Sequence, residues 1–236
     1  MTIKIVYFAY LLPNKWQSVV SEQLDALKSC GIYNDAANIY MCVVGDEVEL
    51  NKFDEFIKKY SKVEVSNKST QNSYEYLGIK KVYDISKNDD DEFILYFHTK
   101  GITHKDELYA RLTRLLMMAS TVENYKEITF KFQQDQKIDV VGAMPHVDGF
   151  MYNTFFWVRS SYVNINFQQP VVSDNRYVWE IWTGKEYSRK KTITTYSPLM
   201  GYTKIFNKKD LHPIWELLQI VYMSNKIKNS LYTNTR

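Results

Sequence analysis

His98 and Lys100, two residues apart, follow the run Phe93-Ile94-Leu95-Tyr96-Phe97 and precede Gly101. Five consecutive apolar residues are what a strand carries when both faces of its sheet are covered. Side chains alternate along a strand, so the imidazole and the ammonium emerge on one side of its end. Gly101 lets the backbone turn sharply just beyond them. A lysine there neutralises a diphosphate, and an imidazole hydrogen-bonds a phosphate oxygen or binds a metal. The competing reading is a strand end with a solvated lysine and a satisfied histidine. Ligands of open α/β sheets bind at the carboxyl ends of the strands, which favours the functional one.

A second pattern is Arg176-Tyr177-Val178-Trp179-Glu180-Ile181-Trp182. On a helix, Arg176 and Glu180 share a face. A carboxylate flanked by Trp179 and Trp182 is a candidate general base, and Arg176 could orient it or hold a phosphate. The bland alternative is a surface ion pair worth tenths of a kcal/mol. His146 and Asp148 follow the strand-like Asp139–Met144; either could meet sugar hydroxyls, and Asp148-Gly149 is equally a turn dipeptide. Phe156 and Trp157 could stack on a sugar or fill the core. The acidic run Asp89-Asp90-Asp91 precedes its strand, at the end away from the chemistry, and reads as a solvated loop. Histidines 98, 104, 146 and 212 lack zinc spacing, and Cys30 and Cys42 read as free thiols of a reducing compartment.

Alternating strands and helices must position these groups. Strands are expected at Ile3–Tyr10, Asn38–Val44, Val63–Val65 and Phe93–Phe97. Helices between them carry Trp16, Val19, Val20, Leu24 and Leu27, then Phe53, Phe56, Ile57 and Tyr60, then Tyr74–Ile85. The longest helix is expected to bury Leu108, Leu112, Leu115, Leu116, Ala119 and Val122. Strands at Asp139–Met144, Thr154–Val158 and Thr192–Tyr196 follow, with a helix over Arg176–Trp182. Asp210 would cap a last helix carrying Ile214, Leu217, Leu218, Val221 and Tyr222. This order predicts one compact α/β domain over residues 1–236, with a mixed, mostly parallel sheet flanked by helices.

Several nucleotide-binding classes drop out. Ala9-Tyr10-Leu11-Leu12-Pro13 after the first strand has no glycine, Gly184-Lys185 is no Walker loop, and there is no GxSxG elbow. With only eight glycines, phosphate recognition falls to side chains or a metal. A net charge of +3 without a basic stripe argues against nucleic acid. The first residues are too short and β-like for a signal peptide, and no apolar run is long enough to span a bilayer; the expected location is cytoplasmic. An aromatic share of 15% is compatible with carbohydrate chemistry.

The polar turn and helix start at Asn72–Gly78, followed by the apolar strand ending in His98-Thr99-Lys100-Gly101, resemble the donor half of GT-A glycosyltransferases. With Asn153-Thr154-Phe155-Phe156-Trp157, the HTKG sequence resembles a subgroup from chlorella viruses, giant viruses and some bacteria; the resemblance spans about residues 1 to 190. It implies a nucleotide-diphosphate sugar donor such as a UDP-sugar, a glycan or small-molecule acceptor, and hexosyl or deoxyhexosyl transfer with inversion. It makes residues 1–105 the donor half and 106–236 the acceptor half with a C-terminal helix. Ala9, Tyr10, Asn72, His98, Lys100 and Gly101 then line the donor side, and His146, Asn153, Phe156, Trp157 and Arg176 the acceptor side, with Glu180 as base. In that family a DxD pair holds a divalent cation, Mn or Mg. Here the position reads His98-Thr99-Lys100, and Lys100 could supply the cation's charge itself. A non-catalytic glycan- or nucleotide-binding module, and a nucleotidyltransferase, are the alternatives from other classes.

Overall fold

The computed structural model of the chain describes residues 2–88 and 92–198. The acidic run Asp89–Asp91, the expected last helix beginning at Asp210 and His212 lie outside the described residues.

The β-branched and aromatic opening forms β1 (Thr2–Tyr10), and the apolar run around Leu95 forms β4 (Glu92–His98), with every residue of β4 buried. They pair in parallel, with Phe8 opposite His98. On the other side of β1 lie β2 (Asn38–Val44) and then β3 (Val63–Ser69), all parallel. Beyond β4 the sheet becomes mixed: β6 (Phe156–Arg159) is antiparallel to β4 and to β5 (Val140–Gly142), which pairs in parallel with β7 (Thr195–Tyr196). The order is β3-β2-β1-β4-β6-β5-β7. The fold is thus the expected α/β class, a mostly parallel mixed sheet flanked by helices.

Alternation along β1 divides the core. Ile5, Tyr7 and Ala9 face a layer containing α1 (Trp16–Cys30), α3 (Glu47–Ile57), α5 (Glu107–Met117) and α6 (Tyr125–Gln134). Val6 and Phe8 face α4 (Tyr76–Ser86), α7 (Ser160–Asn166) and the short α8 (Tyr177–Glu180). Gly31 ends α1 in the left-handed conformation, φ 95°, where glycine carries no Cβ penalty; α2 (Ile32–Asp35) follows at once. From β1 the chain passes through α1 to β2 on one side, whereas from β4 it passes through α5 and α6 to β5 and β6 on the other, so it leaves these two neighbouring strands toward opposite edges of the sheet. That divergence opens a crevice at their carboxyl ends.

Two local expectations change. In α5, Leu108 is 66% exposed, whereas Ala110, Thr113, Arg114, Leu116 and Met117 are buried. Leu116 and Val122 are buried as expected, whereas Leu112, Leu115 and Ala119 are half-buried. The inward face includes a hydrogen-bonding arginine, and a wider π-helical turn over Met118–Glu123 separates α5 from α6, so the apolar period found the face only in part. The helix expected over Arg176–Trp182 shortens to α8, and α7 was not anticipated. Among the described residues no helix is long and apolar enough to cross a membrane.

Helix α4 lies against the sheet through Gly78. A Cβ there would stand 2.7 Å from a Tyr96 ring carbon and 2.9 Å from Phe8 Cβ. Glycine to alanine within a helix ordinarily gains about 1 kcal/mol, but overpacking a core costs about 1–3 kcal/mol. Gly78→Ala is expected to destabilise by up to about 2 kcal/mol net, read from urea unfolding midpoints; a stabilised variant would contradict the close approach.

Candidate functional site

The HTKG turn is fixed from beneath before any ligand arrives. Thr99 Oγ1 accepts from the Tyr10 amide at 3.0 Å, and the Thr99 amide donates to the Phe8 carbonyl at 3.1 Å, tying the ends of β1 and β4 together. Gln23 of α1 donates to the His98 carbonyl at 3.0 Å. Arg114 of α5 donates to the Lys100 carbonyl at 3.0 Å and is itself held by Glu22 at 3.2 Å. Gly101 turns at φ 75° with Ala110 packed below it; an added Cβ would lie 2.8 Å from Ala110 Cβ. Hence the turn cannot accept a side chain at 101 without shifting α5.

Above this turn lies a cleft of about 330 Å³, within the range of small-molecule sites. Tyr10, Asn72, His98, Lys100 and Gly101 line it together with Arg176 and Glu180 from α8. Residues up to 170 positions apart in sequence therefore meet here. His98 and Lys100 both line the cavity, although β4 ends at His98 and Lys100 reaches it from the turn beyond the strand. Lys100 is depressed by burial, while Glu180 and Glu75 favour its charged form and Arg176 opposes it.

Glu75 was not singled out by sequence. It sits just before α4, and its Oε1 lies 3.2 Å from His98 Nδ1. Burial pushes its carboxyl up to about 7; Lys100 and Arg176 pull it down and Glu180 pushes it up. His98 is packed between Tyr96 and Phe155. Burial, with Lys100 nearby, holds its imidazole down at about 3, against the opposing hydrogen bond with Asn153. Tyr74 also lines the cleft, 38% exposed and at φ 54°. An Asx turn, in which Asn72 Oδ1 accepts from the Tyr74 amide at 2.9 Å, holds that left-handed conformation. No sequence spacing links Glu75 to His98; only the docking of α4 beside β4 does.

Other expected residues lie elsewhere. Ala9 is fully buried on the α1 face of β1, so its side chain has no access to the cleft. Phe156 and Trp157 are buried on opposite faces of the sheet. Phe156 stacks on Tyr96 at 5.0 Å, and Trp157 Nε1 donates to the Thr121 carbonyl at 2.6 Å. Neither ring has a face open to a sugar, because apolar strand residues here pack under helices on both sides. His146 stacks on Phe150 at 4.3 Å within a tight turn in which the Gly149 amide donates to its carbonyl; it does not line the cleft. Asn153 approaches the site through its backbone: its carbonyl oxygen lies 3.1 Å from His98 Nε2. Trp179 and Trp182, on the far side of α8, line a separate cavity with Gln168 and Arg189.

The donor set does not fit a resident Mn or Mg ion. Where the DxD family holds two carboxylates, this chain presents an ammonium and an imidazole, and Arg176 adds a guanidinium. Hard divalent cations need several oxygen ligands; Glu75 has one oxygen on His98 and shares the cleft with two fixed cations. Among the described residues no group of three or more His, Cys, Asp or Glu is arranged to hold a metal ion.

The family model described as Domain of unknown function (DUF8361) matches residues 7–171, and the chain belongs to that family. No curated protein matches the sequence. A crystal structure of 4-diphosphocytidyl-2C-methyl-D-erythritol synthase is similar at 8% identity and TM-score 0.42, over 92% of this chain and 98% of that one. The corresponding synthase from Anaerococcus prevotii DSM 20548 gives 10% identity and TM-score 0.39, over 94% and 98%. A protein from Desulfovibrio desulfuricans G20, provisionally described as a nucleotide-diphospho-sugar transferase, gives 16% identity and TM-score 0.32, over 75% and 70%. Likenesses this distant carry no argument about activity, which must rest on the cleft itself.

The cleft makes stability depend on pH with a definite sign. Glu75 binds its proton more tightly folded than unfolded, so its contribution is full below the ordinary carboxyl value and is lost as pH rises through about 7. Glu75→Gln stays neutral throughout, and is expected to gain on the wild type between about pH 5 and about pH 8 in urea midpoints. Parallel pH curves for the two proteins would contradict the assignment.

Proposed function

We propose that this DUF8361 protein transfers a sugar from a nucleotide-diphosphate sugar to a hydroxyl of a glycan or small acceptor, with inversion. The observation that carries the reading is the convergence of Lys100 and Arg176 on one cleft with two carboxylates, at the carboxyl ends of β1 and β4, from which the chain runs toward opposite edges of the sheet. Two cations held there suit a diphosphate, whose charge grows as the bond to the sugar breaks. The tethered turn below Lys100 supports this, because a held backbone limits the reorganisation needed to bring its ammonium to the leaving diphosphate. Asn72 and Tyr74 stand at the rim, where an amide and an exposed ring suit a base or sugar.

In this mechanism the acceptor oxygen attacks the anomeric carbon as the carbon–oxygen bond to the diphosphate breaks, and the electron pair leaves on the diphosphate. Lys100 and Arg176 neutralise that departing charge in place of a divalent ion. The base is one of the cleft's two carboxylates, Glu180 or Glu75. A second reading, a binding module of the same fold without turnover, is supported by the absence of a DxD pair; release of free nucleoside diphosphate from a donor sugar decides against it.

Thermal-shift screening of nucleoside diphosphates and their sugars, with and without manganese, identifies the donor class. A stabilising nucleotide whose effect is independent of manganese is expected. With that donor, Lys100→Ala should lower transfer by about 100-fold or more while stability changes by no more than about 1 kcal/mol. Full transfer by Lys100→Ala would end the diphosphate role.

A further inference from the structure

We propose that Glu75 is the proton-accepting residue of the cleft, and that His98 is the positioning residue that makes it basic by offering Nδ1 as a hydrogen-bond acceptor. The inference rests on the sugar-transfer reading for its substrate, but the state of the Glu75–His98 pair stands on geometry alone.

The argument begins with the Asn153 carbonyl. A carbonyl oxygen only accepts, so His98 Nε2, 3.1 Å away, must carry a hydrogen. The ring is buried, stacked between Tyr96 and Phe155, and close to the charge of Lys100, so it stays neutral. A neutral ring protonated at Nε2 has a bare lone pair at Nδ1. That lone pair lies 3.2 Å from Glu75 Oε1. When Glu75 is ionised, two lone pairs confront each other; once it gains a proton, the same contact becomes an O–H···N hydrogen bond. Therefore the environment rewards protonation of Glu75, and a hydrogen bond made only by the neutral form raises a carboxyl's proton affinity.

The groups facing Glu75 from each neighbouring element act in different directions. Burial is the largest influence and favours the proton, as does Glu180 of α8, while Lys100 after β4 and Arg176 before α8 disfavour it. To these the Nδ1 of His98 adds its acceptor, 3.2 Å from Glu75 Oε1. Tyr96 of β4 is buried close by, its own proton held more firmly by burial and by Glu75. The outcome is a carboxyl poised near neutrality, at about 7, where a general base is most effective. Glu180 meets Lys100 and Arg176 in the same cleft without an imidazole acceptor, which suits it to hold those cations in place. During transfer the acceptor hydroxyl oxygen bonds to the anomeric carbon, the diphosphate leaves with the electron pair of the broken bond, and the hydroxyl proton passes to Glu75 Oε1. The proton stays on Glu75, which as a neutral carboxyl donates a hydrogen bond to His98 Nδ1 until the products leave.

Two measurements on the full chain test this. In the unliganded protein, carboxyl carbon NMR assigned by comparison with Glu75→Gln should show Glu75 titrating near neutrality, and His98→Gln should lower that midpoint. An ordinary carboxyl midpoint, or one unmoved in folded His98→Gln, overturns the pair whatever the ligand. With the donor found by thermal shift, Glu75→Gln should lower kcat by about 100-fold or more while nucleoside diphosphate affinity changes by no more than about threefold. The alkaline-rising limb of the wild-type rate should persist in Glu180→Gln and shift to lower pH in His98→Gln. Retained kcat in Glu75→Gln overturns the role of Glu75. Failure of every nucleotide to bind the wild type overturns sugar transfer instead, and the carboxyl titration still decides the pair.

Discussion

The contact between the His98 ring and the Asn153 carbonyl governs the chemistry around it, because it fixes which ring nitrogen carries hydrogen. It couples β4 to the segment entering β6, two pieces of chain 55 residues apart. Asn153 itself is held at φ 68°, a conformation an asparagine tolerates better than most residues. Burial of the imidazole then makes it a hydrogen-bond partner whose charge does not change in the working pH range. A neutral, oriented imidazole differs from an ordinary solvated histidine in that its acceptor side has one fixed target, Glu75.

Charge burial is the second constraint. Removing Lys100, Glu75 and Glu180 partly from water is unfavourable, and their mutual attraction only partly repays it. The balance visible in the site is a near-cancellation: two cations, two carboxyl groups and a neutral ring. An arriving dianionic ligand upsets that balance in a favourable direction, since it supplies charge where Lys100 and Arg176 lack full compensation. A divalent ion meets the opposite field there, because Lys100 and Arg176 put two positive charges in the cleft. The rigidity of the HTKG turn matters for the same reason. Hydrogen bonds from Gln23 and Arg114 to its carbonyls hold the backbone from which the Lys100 side chain extends.

The fold places these groups with little slack. Gly78 brings α4 against Phe8 and Tyr96, and so carries Glu75 to the end of β4. Gly101 brings the turn down onto Ala110 of α5. On α8, one face presents Arg176 and Glu180 to the cleft and the other buries Trp179 and Trp182, so the aromatic pair anchors a helix of only four residues. Packing on one face thus stands in for the length that an isolated helix would need for stability.

Sequence alone determined the parallel half of the sheet, because β1, β2 and β4 are long apolar runs whose neighbours are amphipathic helices, and that periodicity is a local property. It also set His98 two residues from Lys100 and Arg176 four from Glu180, although Lys100 lies in the turn beyond β4 and Arg176 just before α8, so their shared cleft comes from the turns and not from regular strand or helix spacing. What tertiary structure decided was the meeting of those two pairs with Glu75, for contacts across 23 and about 100 residues leave no periodic trace. It also sent Phe156, Trp157 and Ala9 into the core and His146 into a turn, because an aromatic strand reads the same whether its partner is a helix or a sugar. The inward arginine of α5 was hidden for a related reason: apolar period locates a greasy face, whereas Arg114 is buried for the hydrogen bond it gives to the Lys100 carbonyl.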